Sequence, residues 1–355
     1  MSQRMVNILV PVVSVILGLI VGAIVMLVSG FNPVAGYSAL WNGIFGDTYN
    51  IGETVRTITP YIFSGLAVAF AFRTGMFNIG VEGQLIMGWL AAAYVGQAFE
   101  MPTGLHAVVA ILAAAVAGGI WAFIPGLLKA KLQVHEVIVT IMMNYIALHT
   151  ANAAISAISD GGEKTDKIYP SASLASEWLS SMTQFSRLHW GFVVAILAVI
   201  IMWILLEKTT LGYELKSVGF NKNASEYAGM NVSRNIILAM VISGMFAGVG
   251  GAMEALGTFG NMMKMTAATG IGFDGIAVAL LGANQPFGVL LGAILFGALK
   301  NGGLNMPNEA GIPTEIVSIV IALIIFFVAS GYLIRLGLEK FGKKNKDTQK
   351  IKEGK

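Results

Sequence analysis

The first apolar run decides most of what this chain can become. From Met5 to Val28 some 24 residues pass without one charged side chain, before Gly30-Phe31-Asn32-Pro33 interrupts them. About 20 such residues cross a bilayer as a helix, more than a core strand or a buried helix of a soluble domain needs. Arg4 precedes the run as in a secretory signal. The run is too long for a typical signal core, however, and no small-residue cleavage pattern closes it, so it reads as a retained first span. Composition agrees: 56% of residues are hydrophobic and 12% charged, where a soluble domain carries roughly 25% charge. A water-soluble enzyme is excluded. The net charge of +3 offers no broad basic field for nucleic acid, and with no cysteine there are no disulfides, thiolate zinc sites or thiol chemistry.

Read the same way, the remaining sequence gives spans at about 54–72, 76–98, 105–128, 136–158, 189–206, 236–258, 268–283, 286–301 and 313–333. With the first (about 5–28), these predict an all-α polytopic membrane protein of about ten transmembrane helices, its transmembrane domain covering 1–335. Lys and Arg set the orientation. With both termini cytoplasmic, Arg4, Arg73, Lys129, Lys131, Lys208, Lys216, Lys222, Arg234, Arg335 and the seven lysines from Lys340 onward fall inside, sixteen of the 22 basic residues. An odd number of helices would break that bias. The pairs Gly18/Gly22, Gly244/Gly248 and Gly288/Gly292 have the spacing that lets helix backbones approach closely.

Three segments fall outside the spans. Residues 159–188 form a polar extracytoplasmic segment, with an expected interfacial helix showing Leu174, Trp178 and Leu179 on one face. Residues 207–235 form a polar cytoplasmic loop, in which Asn221 or Asn223 can cap a helix of about two turns and Gly229 can end it. Residues 336–355 are a basic cytoplasmic tail suited to anchoring near anionic lipid.

The motifs of several chemistries are missing. No Gly-Lys-Ser/Thr is present to hold ATP phosphates, and no Gly-x-Ser-x-Gly elbow to carry a nucleophile. His135-Glu136 begins like a metalloprotease helix, but Val139 stands where the second histidine would be, so neither an enzyme site nor a metal site is expected. Polar residues at membrane depth are more informative, because charge there is costly and by default marks function. Asn78, Glu82 and Gln84 cluster with two glycines at a helix start, an arrangement that can break a helix and expose backbone to a watery path. Asp274, ahead of Gly275, is either a similar case or a helix cap.

The loop, together with several blocks in the spans, carries a resemblance. Thr209 and Gly212 lead into Gly219-x-Asn221-x-x-Ala224-x-x-x-Ala228-Gly229, which resembles the coupling region of ABC importer permeases of the ribose and branched-chain amino-acid branch. Phe72-Arg73-Thr74-Gly75-Met76-Phe77-Asn78-Ile79-Gly80-Val81-Glu82-Gly83-Gln84, His135-Glu136-Val137-Ile138, Met142-Met143-Asn144-Tyr145 and Gly272-Phe273-Asp274-Gly275 extend it over most of about 55–305. Together these blocks look like bacterial nucleoside permeases rather than ribose permeases.

The resemblance implies an ABC importer permease fold in the bacterial cytoplasmic membrane. It implies four kinds of partner: a cytoplasmic ABC ATPase, a second related permease, an extracytoplasmic solute-binding lipoprotein and a nucleoside substrate. ATP and Mg would be bound by the ATPase, with no cofactor in this chain. Gly219, Asn221, Ala224, Glu226, Tyr227, Ala228 and Gly229 would seat against that ATPase, while Asn78, Glu82, Gln84, Asn144 and Asp274 would line the solute path. Segment 159–188 would meet the binding protein. Three rivals remain: a pentose importer of the same build, an ion-coupled secondary transporter with Glu82 or Asp274 as proton carrier, and a membrane protein without flux.

Overall fold

A computed structural model describes residues 3–330, with side chains for 12–327 and Ser330. The basic tail, Arg335 and the end of the last predicted span lie outside the described residues. In chain order the helices are α1 (Gln3–Val28), α2 (Pro33–Phe45), α3 (Thr48–Arg73), α4 (Val81–Ala98), α5 (Leu105–Leu132), α6 (Glu136–Ile158) and α7 (Glu177–Met182). They continue with α8 (Gly191–Lys208), α9 (Thr210–Phe220), α10 (Lys222–Tyr227), α11 (Val232–Met253), α12 (Ile271–Leu281), α13 (Pro286–Gly303), α14 (Met306–Ala310) and α15 (Thr314–Ala329). The fold is all-helical, and among the described residues only two isolated bridges have strand character. Among the described residues, six helices are long and apolar enough to cross a membrane: α3, α5, α6, α8, α13, and α11 with its continuation to Phe259.

The described residues form two compact units. One falls within residues 1–46 and 299–355, the other within 47–298. In the first, α1 packs on α15 through the predicted small-residue pair. A Cβ on Gly18 would lie 2.5 Å from Ile324 Cα, and one on Gly22 would lie 2.9 Å from Val320 Cγ1. The α2 helix was absent from the predicted spans. Asn32 caps it by accepting from the Val34 N–H at 2.9 Å, and Pro33 starts it where its missing N–H costs nothing.

The second unit is built around α3, α4, α5 and α11. Gly244 and Gly248 let α11 close on α5, where a Cβ on Gly248 would meet the Ala114 carbonyl oxygen at 2.2 Å. This is backbone-on-backbone packing, the association that lipid, with no hydrophobic drive between helices, favours. Helix α3 makes ionic contacts near both of its ends. Its first turns meet segment 159–190 through Glu53 and Arg187, and its last residue, Arg73, meets Glu207 at the end of α8.

Segment 159–188 differs from its predicted form. Leu174 lies outside any helix and donates its N–H to the Leu256 carbonyl at 2.9 Å. The helix α7 begins three residues later, with Leu179 buried and Trp178 exposed. The three side chains therefore share no face. Further backbone bonds from Thr165 to Met262 and from Ile168 to Gly260 stitch the segment to the chain that follows α11.

Candidate functional site

Two irregular stretches interrupt the second unit, and the polar side chains collect around them. The first, between α3 and α4, holds Asn78. Its Nδ2 donates to Gln84 Oε1 at 2.9 Å and to Ser243 Oγ at 2.8 Å, while its Oδ1 accepts from the Gly80 N–H. Ser243 in turn donates to the Ala67 carbonyl at 2.6 Å. Asn144, on α6, accepts from the Gly83 N–H at 2.8 Å and donates to the Ile79 carbonyl at 3.0 Å. All four side chains are buried; Asn78 and Asn144 satisfy backbone groups that the missing helical turn leaves open, and Gln84 and Ser243 hold Asn78 in place.

The second break follows α11. That helix widens into a π-turn over Glu254–Phe259, and residues 260–270 then run back along α4 without regular structure, with Asn261 O accepting from Trp89 Nε1. Helix α12 starts only at Ile271. Its exposed N–H groups are met by Glu82, whose Oε1 accepts from Thr269 Oγ1 at 2.7 Å and Gly270 N at 2.9 Å, and whose Oε2 accepts from Gly272 N at 2.6 Å. A carboxylate at a helix N-terminus is electrostatically favoured, and three charge-assisted bonds offset the cost of its full burial.

Asp274 lies one turn into α12. It is half-buried and accepts from Tyr61 Oη at 3.3 Å. Tyr61 sits about midway along the 26-residue α3, directly after Pro60, whose ring removes one ladder bond there. Its ring packs edge-on against Phe296 at 4.9 Å, and Glu82 and Glu254 are its other charged neighbours. Of the five predicted path residues, the structure thus places Asn78, Gln84 and Asn144 in one knot. Glu82 lies on the α12 side of the same turn, and Asp274 lies beyond it beside Tyr61. Sequence reasoning missed Tyr61, Thr269 and Ser243. A tyrosine after a proline in mid-span was the available signal for the first.

At the α7 end, Glu53 is a buried hub. It accepts from Arg56 Nε at 2.7 Å, from the Arg187 backbone N–H at 2.7 Å and from Arg187 Nη2 at 2.9 Å, and that pairing raises the Arg187 guanidinium further above its usual range. His189 is buried beside it. Burial first, and the Arg56 charge second, push its imidazole down to about 4. Its Nδ1 accepts from the Gly191 N–H at 3.1 Å, so Nε2 carries the proton.

At the other end lies the exposed loop. Asn221 caps α10 as expected, accepting from the Ala224 N–H at 3.0 Å, and Gly229, at φ +83°, closes it. Ala224, Glu226, Ala228 and Gly229 are all exposed, Tyr227 is 96% exposed and Phe220 is 89% exposed. Gly219 is different: it is only half exposed and packs on Gly75.

Residues 50–329 match the family described as branched-chain amino acid transport system / permease component. The chain belongs to that family. It is a multi-pass permease of the cytoplasmic membrane and not itself an enzyme. The guanosine ABC transporter permease protein NupP of Bacillus subtilis is 60% identical over 97% of this chain and 99% of its own length. The nucleoside ABC transporter permease protein NupB of Lactococcus lactis is 41% identical over 96% of this chain and 95% of its own. Bacillus subtilis also has a second, more distant relative, the guanosine ABC transporter permease protein NupQ, 27% identical over 82% of this chain and 93% of its own. One organism thus has two different guanosine permease proteins similar to this chain.

Proposed function

We propose that this permease is one of two different permease subunits in an ATP-driven importer of nucleosides. The observation that carries the reading is the 60% identity, over nearly the whole chain, to a protein named for guanosine transport. In this reading ten spans leave both termini and the α9–α10 loop in the cytoplasm. Asn221, Ala224, Glu226, Tyr227, Ala228 and Gly229 seat against a separate ATPase, which binds ATP and Mg. Segment 159–188 meets a solute-binding lipoprotein on the outer face.

The solute passes along Asp274 and Tyr61. A half-exposed carboxylate beside a phenol hydroxyl can exchange hydrogen bonds with a ribose without holding it tightly. Asn78, Glu82, Gln84 and Asn144 stand beside the path and keep the two helix breaks in shape.

Uptake of labelled guanosine by cells lacking and carrying this gene tests the reading. ATP-dependent uptake, competed by other nucleosides and not by ribose, is expected. Competition by ribose alone points to the pentose importer. Uptake that survives ATP depletion but collapses with a protonophore points to an ion-coupled carrier.

A further inference from the structure

Gly219 belongs to the loop motif by sequence but not by position. A Cβ on it would lie 2.7 Å from the Thr74 carbonyl carbon and 2.8 Å from the Gly75 nitrogen. Gly75 itself has φ +74°, a conformation strained for other residues, and a Cβ there would come 2.4 Å from Gly219 Cα. Ions brace the contact. Glu207 accepts from Arg73 through one carboxylate oxygen and from Lys216 at 2.9 Å through the other. Phe72, Arg73, Gly75, Lys216, Gly219 and Phe220 line a pocket of about 380 Å³ at this junction.

The position of the junction gives it a role. On one side Gly219 and Phe220 run directly into Asn221 and the exposed helix α10. On the other, Arg73 ends α3, and Gly75 opens the irregular stretch that closes at Gly80, two residues before the carboxylate that holds α12. Two glycine backbones in contact have no flexible side chain between them to absorb a push, and an ion bridge resists a pull. Coupling between distant sites needs this kind of contiguous contact leading to an element with alternative arrangements.

We infer that the Gly75–Gly219 contact and the Arg73–Glu207–Lys216 bridge transmit movement of the exposed loop to the helix breaks at Glu82 and Asp274. Gly219 and Glu207 are positioning residues and not part of the docking face. The inference rests on the reading of the chain as an ATP-driven permease.

The test uses the complete transporter in lipid vesicles, with nucleoside uptake and ATP hydrolysis measured on the same sample. Gly219→Val is expected to lower uptake per ATP hydrolysed about tenfold, with the ATPase still co-purifying and hydrolysing near the wild-type rate. Glu207→Gln adds no bulk, decides the matter if Gly219→Val fails to fold, and is expected to lower the same ratio about threefold. An unchanged ratio in Glu207→Gln overturns the inference. So does loss of ATPase co-purification, which would put the bridge in the docking face. Failure of the underlying reading looks different: wild-type vesicles themselves then accumulate no nucleoside with ATP.

Discussion

The two helix breaks open with the same short pattern, Gly80-Val81-Glu82-Gly83 at α4 and Gly272-Phe273-Asp274-Gly275 at α12, yet their acids have different surroundings. Glu82 is fully buried and accepts from one hydroxyl and two backbone N–H groups. Asp274 is half-buried, faces a tyrosine hydroxyl at 3.3 Å and follows the exposed Phe273. One carboxylate builds the break and the other looks out of it. The spacing of an acid between glycines in an apolar run marks the place, but only its partners say which of the two tasks it has.

That contrast can be broken most directly at Glu82. Glu82→Ala leaves three donors without an acceptor in a buried site and is expected to cost about 3 kcal/mol or more. The readout is loss of thermostability in detergent and of the assembled complex. Near-normal stability would show that Glu82 is no more structural than Asp274.

Next in size is the pH response of His189, a buried group outside both breaks. Its folded value of about 4 lies below the ordinary 6.5, so between those two values the unfolded chain takes a proton that the folded chain refuses. The His189 contribution to stability is complete above about pH 6.5 and is lost as the pH drops toward 4, by about 3 kcal/mol over the window. The difference in thermal unfolding between the wild type and His189→Gln, measured from pH 8 to 4, should show this slope.

Asp274→Asn sharpens the contrast from the other side. The complex should assemble with normal thermostability while uptake falls about tenfold, the equivalent of about 1.4 kcal/mol. An equal loss of stability and uptake would place Asp274 with Glu82. The smallest effect is expected for Tyr61→Phe, which removes one long hydrogen bond, at 3.3 Å, of about 1 kcal/mol and should lower uptake about fivefold.

Much of this architecture was legible because lipid leaves the backbone few options. Long uncharged runs could only be helices, and Gly18/Gly22 and Gly244/Gly248 became close helix contacts as their spacing required. Asn221 and Gly229 start and end α10 for local reasons that need no tertiary partner. What was not legible depends on partners far along the chain. Nothing near Glu82 announces that Gly270 and Gly272, almost 190 residues away, supply its donors. Leu174, Trp178 and Leu179 fit one helical face by spacing, but the backbone bond from Leu174 to Leu256 takes the first out of the helix. Gly219 fits a surface motif, and only the fold shows Gly75 beneath it.

In the proposed mechanism this permease moves its solute only when a separate ATPase drives it. The most direct measurement is accumulation of labelled guanosine in vesicles carrying the complete transporter with ATP, set beside vesicles carrying this chain alone under an imposed proton or sodium gradient. Concentrative uptake by the first and none by the second is predicted. Accumulation by the lone chain under either gradient would contradict the account.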